Sequence, residues 1–296
     1  MQCPKKNTTS YLFSHGIAHA HAQAYWYTQL TPEGVYNERY TIPGRLFTFD
    51  FPDAINNFWQ LNFTKTSLAQ GNEIISLKRA YDETIAVLDA EKSINKDLVL
   101  VGLSRGASTT LSFMGLFNPK EVKALVLESP FDSIATLIQN ILRNLYLHWV
   151  PGLDTVGHSL VSMTFAQHNK NGIRPLDTVD TIKKDLPILL ICSEQDGVVP
   201  ATSTMELYKK LQESGHQHTY IFKAHKGDHA NILQDADGQN YQRVVHAFYK
   251  KYQLPHDSAL ADQGMSLLEQ CQPYFAKPFD KSSGVNALEN GQRSLP

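Results

Sequence analysis

The pentapeptide Gly102-Leu103-Ser104-Arg105-Gly106 is the first stretch whose residue types and spacing suit chemistry. A G-x-S-x-G pattern arises by chance in about one chain in ten of this length at average composition, so its surroundings decide its meaning. It follows Asp97-Leu98-Val99-Leu100-Val101, a run of buried-strand character, and opens Ala107 to Phe117, a good helix. A sharp strand-to-helix turn strains the serine backbone and leaves no room for side chains two residues to either side, which accounts for the glycines. Ser104 is then expected to stand exposed at the carboxyl end of a strand. The helix amino terminus beneath it favours developing negative charge.

An alcohol near its free pKa is a weak nucleophile, so a base must take its proton and an acid must orient that base. Asp196 lies in Ser193-Glu194-Gln195-Asp196-Gly197-Val198-Val199-Pro200, directly after the apolar run Ile188 to Cys192. His229 lies in Ala224-His225-Lys226-Gly227-Asp228-His229-Ala230-Asn231, after the run Tyr220 to Ala224. Asp132 is the rival acid and His225 the rival base. The Gly-Val-Val-Pro context favours Asp196, and the position of His225 close to the strand end favours His229.

Short apolar runs alternating with helical periodicity predict an α/β fold, a mostly parallel sheet flanked by helices. Six strands are expected: Tyr11 to Ser14, Leu46 to Phe51, Leu98 to Gly102, Val122 to Glu128, Pro187 to Cys192 and Tyr220 to Ala224. Helices are expected over Ile74 to Lys92, Gly106 to Phe117 and Thr202 to Leu211. Residues 133–184 interrupt this rhythm, and a connection of about fifty residues must carry structure of its own. We therefore divide the chain into a core (1–132 and 185–252), a helical cap insertion (133–184) and a partly mobile C-terminal extension (253–296) with a short helix around Gly264 to Cys271. In the cap, Leu137, Ile141, Leu145 and Trp149 recur at four-residue steps. They are expected to line a substrate pocket, the alternative being a helix that completes the core.

The composition excludes several classes. The 296 residues carry 27 basic and 29 acidic side chains, a net charge of −2, without a dense basic run to track phosphates, so nucleic acid is not expected as a partner. Cys3, Cys192 and Cys271 suggest neither a disulfide framework nor a zinc site. His15, His19 and His21 form H-x3-H-x-H, but no suitably spaced carboxylate or cysteine accompanies them, and neither a metal nor a cofactor is expected. Cys192 reads as a buried apolar group, and Asp50 and Asp53 as turn acids near the sheet edge. No signal peptide and no transmembrane segment are visible, and the expected location is cytoplasmic.

Together the elbow GLSRG, the acid loop SEQDGVVP, the histidine loop KGDHANIL and the early Ser14-His15-Gly16 resemble the α/β-hydrolases from about Tyr11 to Tyr252. The order Ser, Asp, His along the chain is that of this fold. The run Leu125 to Phe131, LVLESPF, is similar to the branch holding prolyl-oligopeptidase-like, dienelactone-hydrolase-like and acyl-thioesterase members. Only about ten residues precede the His-Gly strand, so the expected sheet lacks the first two strands of that fold. The resemblance implies an oxyanion hole built from the backbone N–H groups of Arg105 and Ile17, with Gly16 as the neighbouring register. For the Arg105 side chain it leaves a choice between a substrate carboxylate and a local acid. The implied function is a serine hydrolase acting on a small-molecule carboxylic ester or acyl thioester. A peptidase of the same fold and a non-catalytic ligand-binding protein are the alternatives.

Overall fold

Runs of Val, Ile, Leu and Phe four to seven residues long pair side by side into one sheet, seen in a computed structural model that describes residues 9–17, 24, 45–52, 65–147, 149–150, 152–165, 167–169 and 171–272. The strands are β1 (Ser10–Ser14), β2 (Arg45–Thr48), β3 (Leu98–Leu103), β4 (Val122–Glu128), β5 (Ile188–Ser193) and β6 (Thr219–Ala224). Their order is β2-β1-β3-β4-β5-β6, and every neighbouring pair is parallel. Parallel sheets need both faces covered, and side chains alternate between faces along a strand. Tyr11, Phe13, Val99 and Val101 accordingly face one apolar layer with Val244 and Phe248, while Leu12, Leu98 and Leu100 face the other with Leu111 and Phe113. The helices that supply these layers are α1 (Gly71–Ala90), α2 (Arg105–Phe117), α6 (Ala201–Glu213) and α7 (Gly238–Lys251).

β4 has the bounds expected, and the other strands differ by one to three residues at an end. The largest difference is β2, which stops at Thr48. Beyond it Phe51 turns inward, donating its N–H to His15 Nε2 at 3.0 Å. Among the described residues β2 is the edge strand on that side, half-buried and only four residues long, which limits the edge it offers to another chain.

Between β4 and β5 lie α3 (Ile134–Asn144), α4 (Leu153–Thr164) and the short α5 (Pro175–Thr178). The expected four-step stripe does not run along one helix. α3 ends at Asn144, and Tyr146 takes φ 57°, a left-handed conformation that an α-helix cannot continue through. Ile134 and Ile138 form the buried face of α3 and Leu137 packs beside them, whereas Ile141, Leu145 and Trp149 are 47, 60 and 73% exposed. The apolar residues of this stretch are thus buried near the start of α3 and exposed toward and beyond its end.

The chain does not leave the core at Tyr252. Leu254, Leu268 and Cys271 join the apolar layer of α7, and the C-terminal helix, expected around Gly264, is α8 (Ser258–Gln270). The Ile221 N–H of β6 donates to the Cys271 carbonyl at 2.8 Å. The rest of the expected extension, 273–296, lies outside the described residues, as do His19, His21 and Asp53. No helix among the described residues is long and apolar enough to cross a membrane.

Candidate active site

β3 runs straight into α2 through Ser104, whose φ of 52° and ψ of −117° are costly for a side-chain-bearing residue. The strain is enforced by packing on both sides. A Cβ on Gly102 would lie 2.7 Å from the Ala107 Cα, and one on Gly106 would collide with the Ser14 carbonyl, so the elbow closes tightly and rests against the end of β1. Ser104 is buried, 5% exposed, where the sequence predicts an open serine. The histidine loop covers it: His229 Nε2 lies 2.9 Å from Ser104 Oγ, and His229 Nδ1 lies 2.8 Å from Asp196 Oδ2.

Asp196 is held by more than the imidazole. The Val198 and Val199 N–H groups donate to its Oδ1 at 2.9 and 2.8 Å, and Ser129 Oγ–H donates to its Oδ2 at 2.9 Å. These donors fix which oxygen faces His229. The rival groups are occupied elsewhere. Asp132 accepts from Thr136 Oγ1 at 3.0 Å and from the Ser203 hydroxyl, and His225 Nδ1 lies 3.0 Å from Glu194 Oε2 on the open surface. Hydrogen bonds from Lys223 and then His225 lower the Glu194 carboxyl to about 2. Burial pushes the Cys192 thiol up to about 12, so it stays protonated and unreactive at neutral pH.

The Arg105 side chain turns inward, 1% exposed, and takes a local acid. Its Nη1 lies 3.7 Å from Glu73 Oε1 and donates to Thr66 Oγ1 at 3.1 Å. Its Nη2 donates to the Gly16 carbonyl at 3.1 Å, and its guanidinium stacks 4.6 Å from the Phe51 ring centroid. Glu73 is fully buried and also accepts from the Ser67 and Leu68 N–H groups and from the Thr66 and Ser67 hydroxyls. His15 accepts the Phe51 N–H at Nε2, which leaves the proton on Nδ1 to donate to the Gly16 carbonyl at 2.7 Å. The Asp50 carboxylate lies 3.9 Å from its Nε2. Among the described residues no group of three or more His, Cys, Asp and Glu could hold a metal ion.

An apolar cluster of Leu68, Phe131, Ile134, Ile138 and Val199, with Ile17 and Leu137 packed against it, joins α3 to the acid loop and to the loop after β1. A cavity of about 150 Å³ opens beside it, lined by Leu68, Phe131, Ile134, Ile173 and Arg174 among others. The β4–β5 segment is tied down on two sides. Asn144 Nδ2 donates to the Gly197 carbonyl at 2.9 Å, and the Gln70 amide exchanges two 2.9 Å hydrogen bonds with the Asn169 backbone. Glu73, Thr66, Ser67 and Ser129 were not singled out in the sequence. Only an acid in a helix first turn and a hydroxyl straight after a strand marked any of them.

The prolyl oligopeptidase family model matches residues 83–254, more than half of the chain. No curated protein sequence matches significantly. Among solved structures, an esterase from Pyrococcus furiosus is similar over 83% of this chain and 82% of its own, at 18% identity and a TM-score of 0.58. An acylaminoacyl peptidase from Pyrococcus horikoshii is similar over 82% of this chain and 37% of its own, at 13% identity and a TM-score of 0.54. A puromycin-hydrolyzing peptidase from Mycobacterium tuberculosis is similar over 85% and 35%, at 14% identity and a TM-score of 0.54. The family match takes in the elbow, the acid loop and the histidine loop in one continuous stretch, and on that ground the chain belongs to the prolyl oligopeptidase family and is a hydrolase of the α/β-hydrolase fold.

Proposed function

We propose that the protein is a serine hydrolase that cleaves a small-molecule carboxylic ester or acyl thioester through an acyl-enzyme on Ser104. The observation that carries this reading is the unbroken chain from Ser104 Oγ to His229 to Asp196, at 2.9 and 2.8 Å. Asp196 Oδ2 holds the proton on Nδ1, so the Nε2 lone pair meets the serine hydroxyl. As Oγ attacks the acyl carbon its proton passes to Nε2, and Asp196 stabilises the resulting imidazolium. The tetrahedral oxygen takes the N–H groups of Arg105 and Ile17, each such donor contributing about 3 kcal/mol in the transition state. His229 then protonates the departing alcohol or thiol, and water repeats the sequence to release the acid. None of these steps calls on a cofactor.

Residues 133–184 act as a cap over this site, and its apolar underside suits a substrate with an apolar part. Leu137 belongs to the cluster that also holds Ile17, and Ile141, Leu145 and Trp149 are exposed apolar side chains of the same segment. A second reading is a peptidase, favoured by the family match and by the similarity to acylaminoacyl peptidases. Labelling by a fluorophosphonate probe, lost in Ser104→Ala, separates an enzyme from a ligand-binding protein. A panel of p-nitrophenyl esters run beside aminoacyl anilides then separates the two hydrolase readings: efficient anilide cleavage with poor ester turnover would favour the peptidase.

A further inference from the structure

Arg105 occupies an unusual double position. Its backbone opens α2 directly after Ser104, and its side chain returns to the loop after β1, where it donates to the Gly16 carbonyl. That carbonyl also accepts from His15 Nδ1. Two donors on one oxygen hold the Gly16–Ile17 peptide against rotation. A trans peptide is planar and its N–H points opposite to its C=O, so fixing the Gly16 oxygen fixes the direction of the Ile17 N–H. The guanidinium is itself held, by Glu73 and Thr66 on Nη1 and by the Phe51 ring, and Glu73 is held by the Thr66 to Leu68 segment.

A fully buried ion pair is a poor source of stability, because desolvating both charges offsets most of their attraction. What it supplies is a rigid planar fork with directed donors. We infer that the buried Arg105–Glu73 pair is a positioning device for the oxyanion hole, in which Arg105 sets the second amide donor, Ile17 N–H, through the Gly16 carbonyl. This rests on the serine hydrolase reading and adds a role to a side chain that does not touch substrate. It also explains why the arginine faces inward at a position next to the nucleophile. The two amides would otherwise sit on loops some ninety residues apart in sequence, and the arginine links them directly.

The test compares wild type with Arg105→Lys, which keeps a charge for Glu73 and removes the fork, using the best ester of the panel and its trifluoromethyl ketone analogue as a transition-state mimic. Active sites are counted by fluorophosphonate titration. With one oxyanion donor misdirected, kcat per titrated site should fall about 10- to 100-fold while KM changes by less than about threefold. The inhibition constant of the trifluoromethyl ketone should rise by the same factor as kcat/KM falls. Arg105→Met combined with Glu73→Gln removes both charges together, keeps an acceptor for the Ser67 and Leu68 amides, and should show the same split if Arg105→Lys does not fold. A merely structural pair would lower the melting temperature and the titrated fraction and leave kcat per site and ketone affinity at wild-type values, and that result in either variant overturns the inference. If wild type is not labelled at Ser104, the hydrolase reading falls and takes this one with it. If wild type is active and the variants match it per site, only the present inference falls.

Discussion

Ser129 and His229 share one oxygen of Asp196: the serine hydroxyl donates to Oδ2 at 2.9 Å, and His229 Nδ1 meets the same atom at 2.8 Å. Ser129 reaches it from the end of β4 with φ 48°, a strained conformation held by its N–H bond to the Ile191 carbonyl. Without the hydroxyl the carboxylate keeps its two amide donors but loses one restraint on the oxygen that faces the imidazole. Ser129→Ala should therefore lower kcat about tenfold, in line with one lost hydrogen bond to a charged group. Steady-state kinetics beside a thermal melt will show whether the loss lies in turnover or in folding.

Ser104→Ala should abolish turnover in a folded protein, a loss on the order of 10⁶ in kcat. Asp196→Asn should cost far more than Asp132→Asn, because Asp132 bonds to Ser203 and Thr136 whereas Asp196 bonds to His229. By the same geometry His229→Ala should be much worse than His225→Ala. Reversed rankings in a kcat comparison would move the acid to Asp132 or the base to His225.

The apolar side chains of the β4–β5 segment divide into covered and open ones, and mutants should divide in the same way. Ile138→Ala removes a buried side chain and should cost about 2–4 kcal/mol of stability, seen in a urea melt. Trp149→Ala should leave stability nearly unchanged. If its ring meets long acyl chains, it should flatten the dependence of kcat/KM on chain length, which otherwise rises up to about fourfold per buried methylene. An unaltered profile in Trp149→Ala would remove that residue from the substrate pocket.

Two buried histidines make stability fall with acid. Burial lowers His216 to about 4, helped by Lys184 nearby, and burial lowers His246 to about 4, where its Nδ1 accepts the Asp257 N–H. Both bind a proton more readily unfolded, near pH 6.5, than folded. Stability is thus undiminished above about pH 6.5 and is lost as pH falls toward 4, by up to about 1.4 kcal/mol per pH unit for each histidine. His246→Gln keeps an acceptor for the Asp257 amide and cannot titrate. Urea melts between pH 7 and 4.5 should give it a shallower slope than wild type, and equal slopes would exclude His246 as a source.

The sheet could be read from the sequence because a strand covered on both faces is written as an unbroken apolar run, as in Leu98–Leu103. Ser104, Asp196 and His229 were legible because each lies in a loop directly after such a run. Glu73 and Ser129 were not, since their partners come from elements that only tertiary packing brings together: Arg105 reaches Glu73 across 32 positions, and Ser129 reaches Asp196 across 67. The break at Tyr146 was hidden because nothing in Tyr-Leu-His-Trp resembles a glycine or proline stop. α8 was underestimated because its buried positions, Ala261, Gly264 and Leu268, are small or few.

The bond from the Ile221 amide to the Cys271 carbonyl bears on the exposed edge of the sheet. Among the described residues β6 is the outer strand on its side of the sheet, and outward backbone donors of such a strand are a template on which another strand can add. α8 ends by laying the Cys271 carbonyl against that strand, so the last described helix occupies one of those donors as well as adding to the core. Proteolytic loss of that helix would uncover apolar surface on α7 and an unblocked strand edge together, which are the two ingredients of aggregation.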